Sequence, residues 1–388
     1  SKQASCYEKS KIESQNKHCV TQQQSSFCLL QKILFHFFLT VRPLPNIRFF
    51  MQINDIIKII FWMQILPCLA YCAYAKGNMY PLDSKYIKYE ELNDNLDKIV
   101  QISPDLAQKR IIAFSSVEYL PIYALQLGNK NASEAILIIG QHHGEEVIGV
   151  NIAFTLAEIL QNGYSKNIKQ QHLLQRYQIW IVPTLNPEGF RIVSSGILKT
   201  KRKNNRDTDN NKKLDLRTDG VDLNRNYPVF WDLDPETDTN SPFYKGSEPA
   251  SENETKAIVE LAQNHNFVLA IFLHSSISGA YNEHIYLPAR INNSELFQKN
   301  LALARTYADA TKKDYLKGNY EVFEGSTSEV GNARNFFFHR MKTPAFLVEI
   351  GGKNKRGQSI IHPPNKTLIK IVDKNVNALL SVFYKLDN

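Results

Sequence analysis

Four short apolar runs, too short for helices and poor in charge, constrain this chain more than any other feature. Ala135–Ile139 (AILII), Tyr177–Val182 (YQIWIV), Phe267–Leu273 (FVLAIFL) and Ala345–Ile350 (AFLVEI) are rich in β-branched and aromatic residues, as strands buried on both faces are. Between them, Val147–Leu160, Ser251–Asn264 and Ser294–Thr311 carry apolar residues at helical spacing. The alternation implies an α/β fold: a single domain with a mixed, mostly parallel twisted sheet and helices on both faces. In such open sheets a ligand crevice lies beyond the carboxyl ends of the strands. His143 and Glu146 follow the first run, His274 closes the third and Glu349 ends the fourth. The fold therefore gathers four metal-binding or acid-base groups where it places an active site.

Cysteine and charge remove several classes of chemistry. Cys6, Cys19, Cys28, Cys68 and Cys72 are the five cysteines, and none follows residue 75. A disulfide-stapled fold, a thiol nucleophile and a cysteine-ligated metal are thereby excluded from the body of the protein. The formal charge of +8 is also uneven, because residues 1–75 hold eight Lys or Arg against three Asp or Glu. Residues 76–388 carry the remaining 38 against 35, too near balance for the basic stripe of a nucleic-acid binder. No nucleic acid is expected as a partner.

The amino-terminal part reads separately. Residues 1–50 mix polar stretches with an apolar run and are expected to be a disordered leader, Met51 being the more natural start. Ile56–Ala75 is apolar apart from Lys58 and Gln64 and ends in Ala73-Tyr74-Ala75, a small-x-small pattern. This predicts a signal peptide over residues 51–75 cleaved after Ala75, hence a secreted or periplasmic protein. The alternative is a membrane anchor made by residues 56–75, with Lys58 snorkelling.

Gly140–Gly149 reads GQHHGEEVIG. A His and a Glu three residues apart can both reach one ion from a turn entering a helix, and His274 is the candidate third ligand. Two imidazoles and one carboxylate leave a fourth coordination position for water, which marks a catalytic zinc site. His142 pairs with Glu145 at the same spacing, so spacing alone leaves open which histidine binds.

Further along come Asn186-Pro187-Glu188-Gly189-Phe190 and Gly220-Val221-Asp222-Leu223-Asn224-Arg225-Asn226-Tyr227-Pro228. The order HxxE, NPEGF, GVDLNRNYP, His-Ser and a late strand-end Glu resembles the zinc metallocarboxypeptidases of the carboxypeptidase A and T type, across nearly all of residues 80–388. The His2Glu donor set is that of carboxypeptidase A itself. The resemblance implies one zinc per chain held by His143, Glu146 and His274, with His143 preferred because the family's ligand is the second histidine of such a pair. It implies Glu349 as general base, Asn224 and Arg225 as the grip on the substrate's terminal carboxylate, and Tyr320 as the tyrosine closing over it. It implies Arg202 as the arginine facing the scissile carbonyl, with Arg206 able to take that place in the long 199–219 loop.

The implied protein is a hydrolase whose catalytic domain, residues 76–388, removes the last residue of peptides or proteins. No folded partner is indicated, and a monomer is the expectation. By spacing from Tyr320, Thr327 falls where the family sets side-chain preference. Its small neutral side chain argues against strictly basic ends and leaves neutral or aromatic ends as the expectation, with Arg334 and Glu329 the charged residues able to alter it. Trimming of cell-wall peptides is the alternative activity. A further alternative is a deacylase of the aspartoacylase kind, which shares HxxE, His and DLNR elements, but the NPEGF and LVEIGG context favours a peptidase.

Overall fold

The four charge-poor runs lie side by side at the centre of one eight-stranded sheet. The protein was studied as a computed structural model that describes residues 80–387 other than 280, 325–327, 353, 355 and 357. The expected leader and the signal or anchor segment lie outside the described residues, as does Thr327. The described residues belong to one compact unit. No helix among the described residues is long and apolar enough to cross a membrane.

Strands β1 (Ala107–Phe114), β2 (Pro121–Gly128), β3 (Glu134–Ile139), β4 (Tyr177–Val182), β5 (Phe267–His274), β6 (His284–Tyr286), β7 (Glu321–Phe323) and β8 (Ala345–Glu349) are arranged in the order β1-β2-β4-β3-β5-β8-β6-β7. The central β4-β3-β5-β8 block is parallel throughout. Toward the edges β2 joins β4, β1 joins β2 and β6 joins β8 antiparallel, while β6 and β7 are parallel. The sheet is thus mixed, with its central parallel block covered on both faces.

Side-chain alternation explains that coverage. Ile136 and Ile138 of β3, with Leu269, Ile271 and Leu273 of β5, face a core closed by helices α2 (Ile148–Gly163), α6 (Glu295–Ala310) and α8 (Asn365–Asp387). Ala135, Leu137 and Ile139, with Ala270 and Phe272, face a second core under α5 (Asn253–Asn264) and α7 (Ala333–His339). Period two along each strand therefore divides one apolar run between two layers. The remaining helices are α1 (Leu92–Ile102), α3 (Ile168–Arg176) and α4 (Pro187–Ser194). Helix α8 is 23 residues long, and the sequence reading had no element there.

The chain leaves β3 toward β4 on one side and later returns through β5 on the other. The carboxyl end of β3 is therefore a topological switch point, where a crevice opens. Two glycines let the next segment turn tightly there. A Cβ on Gly149 would sit 1.7 Å from the Gly140 carbonyl oxygen, and a Cβ on Gly140 would sit 2.5 Å from that of Pro183. The end of β3 and the first turn of α2 thus touch backbone to backbone, which fixes the loop between them.

Candidate active site

That loop is held from below by main-chain bonds. Gly140 N donates to Val182 O (2.8 Å), Leu185 N to Gln141 O (2.8 Å) and Gly144 N to Arg202 O (3.0 Å). Asn186 caps α4 by accepting from Gly189 N (2.8 Å), and its amide donates to Arg202 O (3.1 Å). The NPEGF segment is thus scaffolding, and its Glu188 is fully buried, accepting from Val117 N, Glu118 N and Asn205 N.

On this base His143, Glu146 and His274 come together, all buried. His143 Nδ1 lies 3.0 Å from Glu146 Oε1, His274 Nδ1 lies 2.8 Å from Glu146 Oε2, and the two Nδ1 atoms are 3.2 Å apart. Ligand atoms about 2.0–2.1 Å from a tetrahedral ion stand ~3.3 Å from one another, close to these separations. Glu146 Oε2 is buried and makes no hydrogen bond of acceptable geometry, a cost that a cation would remove. The donor set and its geometry therefore fit zinc. His142 points elsewhere: its Nε2 is 3.0 Å from the Tyr227 hydroxyl and its ring stacks on His274.

Asp222 organises the outer shell. Its Oδ1 meets His143 Nε2 at 2.9 Å and accepts from Asn224 N at 2.9 Å, while Oδ2 accepts from Arg202 Nε and Nη2 at 3.1 and 2.8 Å. An acid that fixes the far nitrogen of a ligand histidine sets its tautomer and orientation. Burial and Arg202 push His143 down, but Glu146 and Asp222 outweigh them and raise it to about 9. Burial would raise Glu146, yet His143 and His274 hold it ionised, well below the carboxylate range. Burial takes His274 down to about 4.

A cleft of about 730 Å³ opens over these groups, and Arg202, Asn224, Arg225, Arg334 and Glu349 line it together with the three ligands. Glu349 pairs with His274 in the register of β8 against β5. Burial, then the nearby Glu146, push it up to about 8; a divalent cation among the ligands opposes the Glu146 part. Asn224 Oδ1 accepts from Ala333 N (3.0 Å), and its amide is 3.4 Å from His274 Nε2. Arg225 donates to the Asn224 carbonyl (2.9 Å) and, like Arg202, lies over the Phe243 ring, at 5.5 and 5.2 Å. Arg206 instead pairs with Glu252 and lines no part of the cleft.

Tyr320 does not stand at the cleft. It is 3% exposed and packed in the core, with its hydroxyl 3.4 Å from Gly351 N. Pairing of β7 with β6 draws the residue before β7 inward, and Phe323 reaches the cleft instead. The role expected for Tyr320 is therefore corrected. Glu329 also lies outside, paired with Arg290 at 2.6 Å. Sequence reasoning passed over Asp222, Phe243, Tyr281 and Tyr286. Asp222 had a signal, being an acid inside GVDLNRNYP beside a presumed metal site; the aromatics had none.

A profile of the family described as zinc carboxypeptidase matches residues 92–378. Mast cell carboxypeptidase A of Rattus norvegicus is 30% identical over 240 residues, covering 59% of this chain and 55% of that protein. Metallocarboxypeptidase A of Trichophyton tonsurans is 31% identical over 154 residues, 38% of this chain and 35% of that one. The chain thus matches about half the length of the mast cell protein and about a third of the fungal one. Among solved structures, bovine thrombin-activatable fibrinolysis inhibitor in complex with tick carboxypeptidase inhibitor superposes with a TM-score of 0.63 at 22% identity, over 78% of this chain and 97% of that one. Carboxypeptidase A from Helicoverpa armigera gives 0.65 at 18% identity, over 81% and 78%. These structural likenesses speak for the fold.

Proposed function

The chain belongs to the zinc carboxypeptidase family, and from that premise we propose that it hydrolyses the last peptide bond of peptides or proteins that end in a free carboxylate. The observation that carries this reading is the convergence of His143, Glu146 and His274 in a cleft that also holds Arg225 and Glu349.

His143, Glu146 and His274 would hold the zinc. What zinc supplies when bound by such a set is a water that ionises near neutrality and a polarised carbonyl. Glu349 accepts the proton of the attacking water and passes it to the departing nitrogen. Its position at the end of β8, beside His274, puts it on the same side of the sheet as the ligands. Arg202 offers a fixed cationic donor where negative charge grows on the carbonyl oxygen, held in place by Asp222. Arg225 clasps the terminal carboxylate, since a planar guanidinium can bind it through two parallel bonds, and Asn224 sits beside it.

Residues 76–388 are read as the catalytic domain, with residues 51–75 directing export. The test is zinc analysis of the purified chain alongside hydrolysis of N-blocked dipeptides with free and amidated ends. One zinc per chain, activity removed by a chelator and restored by zinc, and much slower cleavage of peptides with amidated ends are expected. Equal cleavage of both peptide forms sinks the exopeptidase reading.

A further inference from the structure

Within that carboxypeptidase reading, on which this inference rests, we propose that Arg334 makes the cleft selective for peptides whose last side chain is acidic. Arg225 takes the terminal carboxylate and Arg334 the side-chain carboxylate of a glutamate or aspartate.

The placement of Arg334 is built by the chain. Tyr227 N donates to Gly331 O (2.8 Å) and Ala333 N to Asn224 Oδ1 (3.0 Å). These bonds lace the segment carrying Arg225 to the start of α7, so the two arginines face one cleft. Arg334 is only 7% exposed, and its Cζ lies 5.9 Å from the centre of the Tyr286 ring, a contact that positions a guanidinium on a wall. Burial first, and then Arg225, push Arg334 down to about 10, with Glu349 and Tyr286 opposing. A cation kept in a cleft beside a like charge is relieved by an incoming anion.

Charge in the cleft points the same way. Arg202, Arg225 and Arg334 face Glu146 and Glu349, and Arg202 is already engaged by Asp222. With Asp222 counted, the three guanidinium groups are matched by three carboxylates, and a bound divalent cation would tip the balance to positive. A substrate ending in Glu or Asp brings two carboxylates to two guanidinium groups. A Lys or Arg end brings a third cation, and an aromatic end brings no negative charge to either guanidinium. Glu329, the other charged residue that could have set the preference, is occupied outside the cleft by Arg290. This preference departs from the expected one for neutral or aromatic ends, which rested on Thr327, outside the described residues.

The experiment compares kcat/KM for benzoyl-glycyl dipeptides ending in Glu, Gln, Phe and Lys, using the zinc-loaded full chain. Glu is expected to exceed Gln at least tenfold, with Lys poorest. In Arg334→Gln the Glu to Gln ratio should fall toward one, in Arg334→Lys it should be partly kept, and in Arg334→Glu the Lys peptide should overtake the Glu peptide. Ratios within one preparation are insensitive to partial loss of folded protein. A wild-type ratio near one, or one unchanged in Arg334→Gln, overturns the proposal. Calorimetric binding of acetyl-glutamate against acetyl-glutamine separates this from the parent reading. Arg334-dependent preference for acetyl-glutamate in a chain that cleaves none of the peptides would keep the specificity and sink the activity. Cleavage of all four peptides without preference would do the reverse.

Discussion

Asp222 and His143 meet at 2.9 Å through Oδ1 and Nε2, and the same carboxylate holds Arg202 through its other oxygen. One buried acid therefore sets the orientation of a metal-binding imidazole and of the arginine across the cleft. Asp222→Asn should lower zinc affinity by about 10- to 100-fold. Competition with a chromogenic chelator reads this directly, and an unchanged affinity would remove Asp222 from that role.

Loss of a ligand should act more strongly than loss of its support. His274→Ala is expected to leave the purified protein with little zinc by metal analysis. It should also abolish the rise in Tm that added zinc gives the wild type. Full occupancy in the variant would take His274 out of the ligand set.

Glu349→Gln keeps shape and hydrogen-bonding capacity but cannot take a proton. Zinc content should match the wild type while kcat falls by several orders of magnitude. Turnover near the wild-type rate would show that the proton goes elsewhere.

Arg225→Ala should reduce kcat/KM for peptides with a free terminal carboxylate while leaving the already slow amidated peptides little changed. An equal loss on both would mean that Arg225 supports the cleft wall and does not bind the end of the substrate.

Away from the metal, Glu254 is fully buried beside Ser116, Glu188 and Glu252, and burial followed by those two acids pushes it from 4.5 to about 8. The folded form then keeps a proton that the unfolded chain releases near 4.5. Stability from this group is intact below the unfolded value and drains as pH rises toward the folded one, by at most about 1.4 kcal/mol per pH unit for one proton. Denaturant unfolding between pH 5 and 8 should show that decline in the wild type and a flatter curve in Glu254→Gln. Parallel curves would assign the decline to other groups.

Much of this was legible in the sequence for a physical reason. Strands covered on both faces must be apolar along their whole length, so AILII and FVLAIFL announce themselves locally, and the ligands follow at strand ends. The edges do not obey that rule. β1 (AQKRIIAF) is half exposed, and β6 and β7 are three residues each, too short to show a period. Tyr320 lies in the core because β7 pairs with β6 just after it, a contact that order along the chain does not show. Arg334 could be named as a charge but not located, since its place depends on Gly331 and Ala333 meeting a segment about a hundred residues earlier.

His274 and Glu349 are cross-strand partners in adjacent parallel strands, and His143 and Glu146 leave the next strand over. Because side chains alternate along each strand, a slip of one residue in β8 would bring Val348 or Ile350 beside His274 and turn Glu349 to the other face. The placing of Glu349 beside His274 is thus locked in steps of whole residues, while exposed loop stretches away from the cleft can change length. Changing the exposed 209–215 stretch, which lies beyond Arg202 in the 199–219 loop, leaves the spacing of His143, Glu146, His274 and Glu349 untouched.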